Sequence, residues 1–537
     1  MTVPTPQNEP VHDYAPGTAR RESLQERVNA MAGETAELTM RIGDQDVASG
    51  ETFTQRAPHR HDLALAEVHA ARREDVEAAI EAAEATRHDW SRWPFEDRAA
   101  VFLRAADLLA GPYRDAINAA TILGQSKSVQ QAEIDAACEL IDFLRFNVRF
   151  AEELQEDQPA SPRATWNRME YRPLDGFVLA VTPFNFTAIA GNLPTAPALV
   201  GNCVVWKPSE KQALAAQVTM DALRAAGLPD GVINLIHGDG ALAVDVATAD
   251  QRLAGVHFTG SERVLRSIMR TVGERIDTYR NFPRVVGESG GKDFIVAHPS
   301  ADVDGLAVAL TRGAFEYQGQ KCSAASRAYI PRSLWPQLRD QVVDISKEMT
   351  AGMGDVGDLS TFMGAVIEGS AFQRHRDAIA QAQSEGREVL IGGGTDDSAG
   401  WFVEPTVLVT DDPRSDTMVR ELFGPIVTVF VYDDADWEPT LDLVDSTSPY
   451  ALTGAVWSQD RAAGYQGLDR LRDAAGNIYL NDKPTGSIVN QQPFGGARSS
   501  GTNDKAGSKL NLVRWVSARA IKENFDPPHD WRYPHQG

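Results

Sequence analysis

The chain has 537 residues, which is too long for one ordinary domain and predicts two or three. Apolar residues make up 42% and charged residues 24%, as in a soluble globular protein, and the formal net charge is −23. Such an acidic surface argues against nucleic acid or a membrane surface as a partner, and no apolar run is long enough to span a membrane.

The first thirty residues contain acids, prolines and arginines but no apolar stretch, so they resemble neither a secretory signal nor an organelle transit peptide. Three cysteines are too few for a disulfide framework and suit a reducing compartment. We therefore expect a cytoplasmic protein.

Residues 1–20 read as a loose arm, and helical spacing of apolar residues follows from Arg73 to about Glu153. Short apolar runs then alternate with helical segments: "FVLAVTPF", "CVVWKPS", "VINLIHG" and "GVHFTGS". Runs of this kind between helices indicate buried parallel strands of a doubly wound α/β sheet.

A second α/β unit begins at "KDFIVAH" and continues with the strands "RAYIPR", "EVLIGG" and "IVTVFVYD". Glycines in "GESGGKD" mark the boundary between the two units. The segments "RATWNRMEYRPLDG" and "NLVRWVSARAIKEN" fit neither unit. We interpret them as strands without a partner in their own domain, which another chain would cover, although two surface loops are the alternative.

Cys322 lies in "GQKCSA", among small and polar residues, whereas Cys138 and Cys203 lie in apolar patterns typical of buried side chains. A lone cysteine in such a polar context is a candidate nucleophile. A thiol with a pKa of about 8.5 is mostly protonated at neutral pH and needs a base. No metal is expected at this site.

Two other segments supply polar groups for that chemistry. Glu288 in "VVGESGGKD" is a candidate base in a glycine-rich turn, although a solvated loop acid is the alternative. Asn185 in "VTPFNFT" follows a predicted strand, where its amide would donate to a developing oxyanion or, alternatively, cap the next helix.

Further polar residues follow the other predicted strands. Lys207 and Glu210 in "VVWKPSE" suit ribose hydroxyls, and a carboxylate there favours NAD over NADP. Gly260 and Ser261 in "HFTGSE" suit a pyrophosphate at a helix N-terminus, although no G-x-G-x-x-G sequence follows any of these strands.

Taken in order, "TPFNF", "KPSE", "FTGS", "GESGGK", "GQKCSA", "ELFGP" and "PFGG" resemble the conserved segments of the aldehyde dehydrogenase superfamily from about residue 40 to 520. The resemblance implies an α/β fold with two doubly wound domains and a small β oligomerisation flap. It implies an NAD-binding domain at 1–160 and 175–289, a catalytic domain at 290–502, and a flap and tail at 161–174 and 503–537.

The resemblance also assigns roles. Cys322 would be the nucleophile, Asn185 an oxyanion donor and Glu288 the base that activates the hydrolytic water. The implied contacts with NAD are Lys207, Pro208, Ser209, Glu210, Gly260, Ser261, Glu421 and Phe423. Many members have a second glycine five residues after that of "FTGS", where this chain has Leu265, so the pyrophosphate contact departs from the pattern.

Within the superfamily, "EYQGQKCSAASRAYIP" and "NDKPTGSIVNQQPFGGARSSGTNDKAG" resemble the monofunctional Δ1-pyrroline-5-carboxylate dehydrogenases. That resemblance implies NAD-dependent oxidation of L-glutamate γ-semialdehyde to L-glutamate, the second step of proline catabolism. The implied substrate contacts are Ser323, Gly486 and Ser487 for the α-carboxylate, Phe186 and Phe494 for the aliphatic part, and Glu139 for the α-amino group.

Other readings stay open at this point. The substrate would alternatively be succinate semialdehyde or a betaine-type aldehyde. A cysteine hydrolase using Cys322 and a histidine, or a non-catalytic homologue, are alternatives from other classes, and His257 is the nearest candidate histidine. The resemblance implies a homo-oligomer, a dimer or built from dimers, with possible transient contact with a separate proline dehydrogenase.

Overall fold

The computed structural model describes residues 3–537. The α-helices of this range, numbered α1 to α17 in chain order, are Ala19–Ala32, Arg73–Trp90, Phe95–Ala110, Arg114–Gln125, Val129–Ala132, Glu139–Glu156, Thr187–Leu199, Ala213–Ala225, Gly240–Ala249, Glu262–Glu274, Val303–Phe315, Trp335–Ala351, Gly369–Ser384, Asp416–Val419, Trp437–Thr447, Arg461–Arg470 and Lys509–Val513. Across residues 3–537, no helix combines the length and the apolar character that a membrane span requires.

The β-strands of the same range, numbered β1 to β23, are Ala36–Leu38, Met40–Ile42, Gln45–Val47, Thr52–Ala57, Arg60–His69, Thr165–Pro173, Phe177–Thr182, Val204–Pro208, Ile233–Leu235, Leu253–Thr259, Arg284–Glu288, Asp293–Ala297, Ala325–Pro331, Glu388–Ile391, Thr395–Asp396, Phe402–Val403, Thr406–Thr410, Ile426–Tyr432, Tyr450–Ala451, Thr453–Trp457, Asn477–Leu480, Ala497–Arg498 and Val516–Asn524.

The first large sheet has the strand order β11-β10-β7-β8-β9-β2-β3. Strands β7 to β11 are parallel, and the antiparallel pair β2 and β3 forms one edge. The chain adds β8 and β9 on one side of β7 and then places β10 and β11 on the other. The order therefore reverses between β7 and β10, and ligands of open α/β sheets bind beyond the carboxyl ends of the strands at such a point.

The second large sheet has the order β14-β17-β18-β13-β12-β20-β21 and is parallel except for β14. On β12, Ile295 and Ala297 pack into one apolar cluster, whereas Phe294 and Val296 pack into another. Both faces of this sheet are therefore covered, which is why its strands are apolar throughout. The predicted pair of doubly wound sheets is confirmed, while β17, β20 and β21 are additions that the sequence did not indicate.

The two sheets meet end to end. Strand β11 ends at Glu288 and β12 begins at Asp293, so the carboxyl edge of the first sheet faces the amino edge of the second. Cys322 lies directly before β13, at that same amino edge. The proposed domain limits stay predictions, and the chemistry-bearing residues lie where the two sheets approach each other.

The two segments that fitted neither sheet pair with each other. Strands β6 and β23 are antiparallel over nine residue pairs, from Val516 opposite Pro173 to Asn524 opposite Thr165. They are strands, as expected, and not surface loops, but neither lacks a partner within the chain. At the base of this ribbon, Trp515 is fully buried in the core of the first sheet. The role of the ribbon in an oligomer stays a prediction.

The expectation of a loose N-terminal arm is wrong for the described residues. Residues 3–15, here called the N-terminal arm, have no regular secondary structure but are held by side chains of α4 and α6 and of the turn between them. Tyr14 is buried and donates from its hydroxyl to Glu133 at 3.0 Å. A polar, proline-containing stretch looks disordered by composition, because its partners lie more than a hundred residues away in sequence.

Candidate active site

A rigid loop presents Cys322. Residues 317–319 have left-handed backbone angles, with φ of 51°, 54° and 63°. The side chain of Gln318 donates to the carbonyls of Ser126, at 2.9 Å, and Ala365, at 2.7 Å. The turn is therefore pinned from outside by side-chain hydrogen bonds, and it delivers the half-buried thiol to the start of β13.

One cavity is lined by four of the predicted residues together: Cys322, Glu288, Phe494 and Glu139. They come from the loop before β13, the end of β11, the loop after β21 and the start of α6. The sequence separates these residues by as much as 355 positions, so their convergence is a property of the fold. The nucleophile and base roles stay predictions, and this geometry supports them.

Glu288, the last residue of β11, lines the cavity. Its Oε2 accepts a hydrogen bond from the backbone N–H of Gly496 at 2.9 Å, and its buried Oε1 has no partner among the described residues. Burial raises the pKa of this carboxyl to about 8, and the hydrogen bond from Gly496 opposes that rise. A carboxyl with such a pKa can exchange protons near neutral pH, as a general base must.

The surroundings of the Cys322 thiol favour its protonated form. Burial raises its pKa well above the usual value, and the carboxyls of Asp293, Glu288 and Glu421 raise it further. A thiol in these surroundings loses its proton only when a base accepts it. The neighbouring carboxyl of Glu288 is such a base, because it lines the same cavity.

Asn185 is buried and does not cap the helix that follows it. Its Nδ2 donates to the carbonyl of Gln320 at 2.9 Å, two residues before Cys322. The cap position of α7 belongs instead to Phe186. The helix-capping alternative therefore finds no support, and within residues 3–537 the amide nitrogen of Asn185 makes no second hydrogen bond.

The predicted cofactor residues Lys207, Pro208 and Ser209 lie at the end of β8, with Glu210 exposed in the next turn. The buried Lys207 ammonium makes no hydrogen bond or ion pair among residues 3–537, and burial lowers its pKa. A cation held without a partner at the carboxyl edge of the sheet suits a ligand with hydroxyl groups, as the ribose of NAD has.

Gly260 and Ser261 precede the thirteen-residue helix α10, and Ser261 is its exposed N-cap residue. Glu262 in the first turn would oppose an anion, but Arg266 holds that carboxylate at 2.7 Å. Leu265, the departure from the glycine pattern, is buried instead: a Cβ on Gly287 would lie 2.2 Å from its side chain. The residues present thus fit a pyrophosphate at this helix end.

Glu421 and Phe423 come from the loop before β18 and reach the same region. Glu421 accepts from the backbone N–H of Gly291 at 2.9 Å, and burial raises its pKa to about 7. Phe423 packs edge to face against Phe184, next to Asn185, with ring centroids 5.8 Å apart. The loop is thereby joined to both the Glu288 turn and the Asn185 turn.

The predicted substrate residues lie in two groups. Ser323 is buried behind Cys322, and its carbonyl accepts from the Thr453 hydroxyl. Gly486 has a φ of 90°, and Ser487 shares a 2.8 Å hydrogen bond with the hydroxyl of Tyr479. Within residues 3–537, no hydrogen bond joins Ser323 to the glycine-containing loop, so their joint role in holding a carboxylate stays a prediction.

A model of the aldehyde dehydrogenase family matches residues 46–520. The chain belongs to the aldehyde dehydrogenase family. A Dictyostelium discoideum protein named mitochondrial Delta-1-pyrroline-5-carboxylate dehydrogenase is 47% identical, over 99% of this chain and 96% of the relative.

Solved structures give the same picture. The Mycobacterium tuberculosis Delta-pyrroline-5-carboxylate dehydrogenase bound with NAD and cobalamin is 56% identical, with a TM-score of 0.97 over 100% of this chain and 99% of that one. Proline utilization A of Bdellovibrio bacteriovorus is 28% identical, with a TM-score of 0.91. The match covers 97% of this chain but only 54% of that longer protein. The predicted family and fold are confirmed.

This aldehyde dehydrogenase also has a buried ion network beneath the thiol that the sequence reading missed. Lys321, next to Cys322, lies 3.6 Å from both Asp135 and Glu316. Lys127 is fully buried, 2.9 Å from Asp135 and 4.3 Å from the centroid of the Phe186 ring. The one signal in the sequence is the lysine of "GQKCSA", which is Lys321. Its burial could not be predicted, because buried lysines and acids do not follow a periodic pattern along the chain.

Proposed function

We propose that this protein oxidises L-glutamate γ-semialdehyde, formed by hydrolysis of Δ1-pyrroline-5-carboxylate, to L-glutamate with NAD, the second step of proline catabolism. The observation that carries the proposal is full-length similarity, at 47% and 56% identity, to proteins of that name. A cavity lined by Cys322 and Glu288 supplies the chemistry that such a reaction needs.

The first step is attack on the aldehyde carbon by Cys322. Because its pKa is raised, the thiol must pass its proton to a base as the sulfur–carbon bond forms, and Glu288 is the carboxyl in the same cavity. The carbonyl oxygen becomes an oxyanion. The second N–H of the Asn185 amide and the backbone N–H of Cys322 are the donors proposed for it.

When bound, NAD would supply the acceptor for the hydride that leaves the former aldehyde carbon, and loss of that hydride turns the adduct on Cys322 into a thioester. In our proposal Lys207 and Glu210 hold a ribose, Ser261 and the α10 N-terminus hold the pyrophosphate, and Glu421 holds the second ribose. Pro208, Ser209, Gly260 and Phe423 shape the same surface. The Lys207 ammonium, which is buried and makes no hydrogen bond within residues 3–537, supports this assignment most directly.

The last step is hydrolysis of the thioester on Cys322. Once the proton taken from the thiol has passed to solvent, the Glu288 carboxylate takes a proton from the attacking water, and its pKa of about 8 keeps a fraction of it ionised near neutral pH. Its unpartnered Oε1 is the oxygen available for that water, since Oε2 is held by Gly496. The sulfur then leaves as a thiolate and takes up that proton, so the Cys322 thiol is restored for another aldehyde.

At the far end of the substrate, we propose that Ser323, Gly486 and Ser487 bind the α-carboxylate. Backbone N–H groups in a turn with positive φ form an anion-binding concavity. Phe186 and Phe494 would enclose the aliphatic part. Glu139 would face the α-amino group, and burial raises its pKa well above the usual value, which an ammonium partner would counteract.

Turnover of two substrates by two proteins tests the proposal. Ser323→Ala should raise KM for glutamate semialdehyde by roughly tenfold, the cost of one bond to a charged acceptor. It should leave oxidation of butanal unchanged, because butanal has no carboxylate. The buried hydroxyl of Ser326 has no partner in the described chain, which makes Ser326→Ala a matched control. Equal losses on both substrates, or faster turnover of succinate semialdehyde, would contradict the assignment.

We also propose the limits of the domains, the oligomeric state, a protein partner and the cellular location. The NAD-binding domain would comprise 1–160 and 175–289, the catalytic domain 290–502, and the flap and tail 161–174 and 503–537. A homo-oligomer built from dimers is supported by the exposed β6–β23 ribbon. Transient contact with a separate proline dehydrogenase is supported by the likeness to part of the longer proline utilization A. Three unpaired cysteines support a cytoplasmic location.

A further inference from the structure

Asn8 of the N-terminal arm joins two walls of the substrate site. Its Nδ2 donates to Asp142 on α6, at 2.8 Å, and to the carbonyl of Val489, at 3.0 Å. Its Oδ1 accepts from the side chain of Gln491 at 3.1 Å. All polar atoms of this side chain are therefore engaged, and they bridge α6 to residues 486–491, here called the substrate loop.

The arm is anchored strongly enough to restrain that loop. Glu9 forms ion pairs with Arg114 at 2.5 Å and with Arg145 at 2.6 Å, and its backbone N–H donates to Asp142 at 2.7 Å. The carboxylate of Glu9 is largely shielded from solvent, so these pairs are weakly screened. Asn8 is thus fixed by its neighbour before it contacts the loop.

The substrate loop needs such restraint. It contains no helix or strand, and Gly486 and Asn490 have φ of 90° and 69°. Ile488 is exposed, so apolar burial contributes little at the centre of the loop. The contacts that tie the loop to more distant parts of the chain include the packing of Val489, the Ser487–Tyr479 hydrogen bond on one side and the bonds of Asn8 on the other.

The arm also lies outside the part of the chain common to the family. The family model begins at residue 46, whereas similarity to the Dictyostelium discoideum protein extends over 99% of the chain. The part of the chain that matches the family model therefore does not include the arm. A segment shared by enzymes of one substrate, and lying against the loop proposed to bind that substrate, is placed to serve recognition.

We propose that the N-terminal arm is a specificity element, in which Asn8 is a positioning residue that holds the substrate loop against α6 for binding of the α-carboxylate. This rests on the proposed function of the loop. Asn8 touches neither Cys322 nor Glu288, so its contribution concerns the carboxylate end of the substrate and not the bond-making end.

Asn8→Ala should raise KM for glutamate semialdehyde by about fivefold to tenfold, the effect of losing restraining hydrogen bonds, with kcat within about twofold. Kinetics with butanal should not change. Hydrogen–deuterium exchange of a peptide covering residues 484–492 should become faster. Gln7→Ala is the matched control, because Gln7 is exposed and adjacent, and it should alter none of these readouts.

Two further variants keep the test decisive. Asn8→Asp should be worse than Asn8→Ala, because it places a carboxylate against Asp142. Gln491→Ala breaks one link while the arm stays anchored, so it should give a smaller change of the same kind. Unchanged KM together with unchanged exchange in all three variants would overturn the inference. Faster exchange with equal effects on both aldehydes would instead contradict the substrate assignment, while the restraint of the loop by the arm would stand.

Discussion

Within the described residues, Asn185 uses one of its two amide N–H groups, and the contribution of the side chain to kcat can be measured. Asn185→Ala should lower kcat by roughly 10²–10³, the usual cost of losing one oxyanion donor. The variant also loses the 2.9 Å bond to the Gln320 carbonyl, so the thermal midpoint must be compared too. Asn202→Ala is the comparison: that asparagine is buried and bonded to backbone carbonyls at 2.9 Å, but at a position remote from the thiol.

If Asn202→Ala lowers stability while leaving kcat unchanged, and Asn185→Ala lowers kcat far more than stability, the donor role is supported. A loss of less than threefold in Asn185→Ala, with the fold intact, would assign the side chain to loop positioning alone.

The raised pKa of Glu288 predicts how kcat depends on pH. With a pKa raised to about 8, the carboxyl is mostly protonated at pH 7 and mostly ionised at pH 9. The base form is the active one, so kcat should rise through this interval and level off above it. Glu288→Gln should remove the rise and lower kcat by roughly 10²-fold or more. Glu348→Gln, at an exposed position on α12, is the control.

Lys505 provides an independent check on that profile. It lines the same cavity, and its ammonium donates to the carbonyls of Gly476 and Gly495. Its charge lowers the pKa of Glu288, so Lys505→Met should move the midpoint of the profile to higher pH. A midpoint that stays in place in Lys505→Met, or a rise that survives in Glu288→Gln, would assign the titration to another group.

At the scale of elements, the thiol loop depends on one glycine. Gly319 has a φ of 63°, and a Cβ there would lie 2.2 Å from the carbonyl oxygen of Gly424. Gly319→Ala should therefore lower the free energy of unfolding by about 2 kcal/mol or more and lower kcat with it. Gly273→Ala is the control, because Gly273 lies in α10 and a Cβ added there would have no atom beyond the adjacent helix backbone within 4 Å.

Denaturant unfolding and turnover measure the two effects together. The helix variant should be neutral or slightly stabilised, since alanine is the better helix former. A loop variant that is as stable and active as the parent would show that residues 317–319 can adopt another turn, and the rigidity of the Cys322 loop would no longer hold.

The sequence predicted elements whose burial gives a continuous or periodic apolar pattern, and it failed for elements whose burial gives neither. Strands β7, β8 and β10 read as apolar runs because both of their faces are covered. The hairpin strands β4 and β5, by contrast, mix arginine, histidine and glutamate with apolar residues and gave no such signal. The π-helical turn Glu133–Cys138 read as ordinary α-helix, since a single wide turn barely changes the spacing.

The same reasoning applies to the site. Cys322, Glu288 and Asn185 were selected because their segments occur in the order typical of the aldehyde dehydrogenase superfamily, and their roles stay predictions. Lys127 and Lys321 were not, because a buried lysine is explained only by the carboxylate that faces it, Asp135 in both cases. Long-range pairing of this kind has no local sequence signature.

At the scale of the whole molecule, the β6–β23 ribbon is the feature that a single chain does not explain. A two-stranded ribbon is marginal by itself, and this one exposes Trp166 at 49%. Beyond it, Phe525 is 62% exposed and Trp531 is 82% exposed. Exposed large apolar side chains on and after the ribbon suggest a surface for association, and its occupant in our proposal is a second copy of this chain.

Trp166→Glu should therefore reduce the mass in solution from a multiple of the chain mass to a smaller assembly. The introduced carboxylate would have to be buried without a partner in the interface, which is strongly unfavourable. Light scattering across a concentration series measures the change, and far-ultraviolet circular dichroism checks the fold. Tyr465→Glu is the matched control, because Tyr465 is 53% exposed on α16, outside the ribbon. An unchanged mass in Trp166→Glu, or an equal loss in both variants, would place the interface elsewhere. The ribbon would then project from the single chain, anchored by Trp515, without a second chain packed against it.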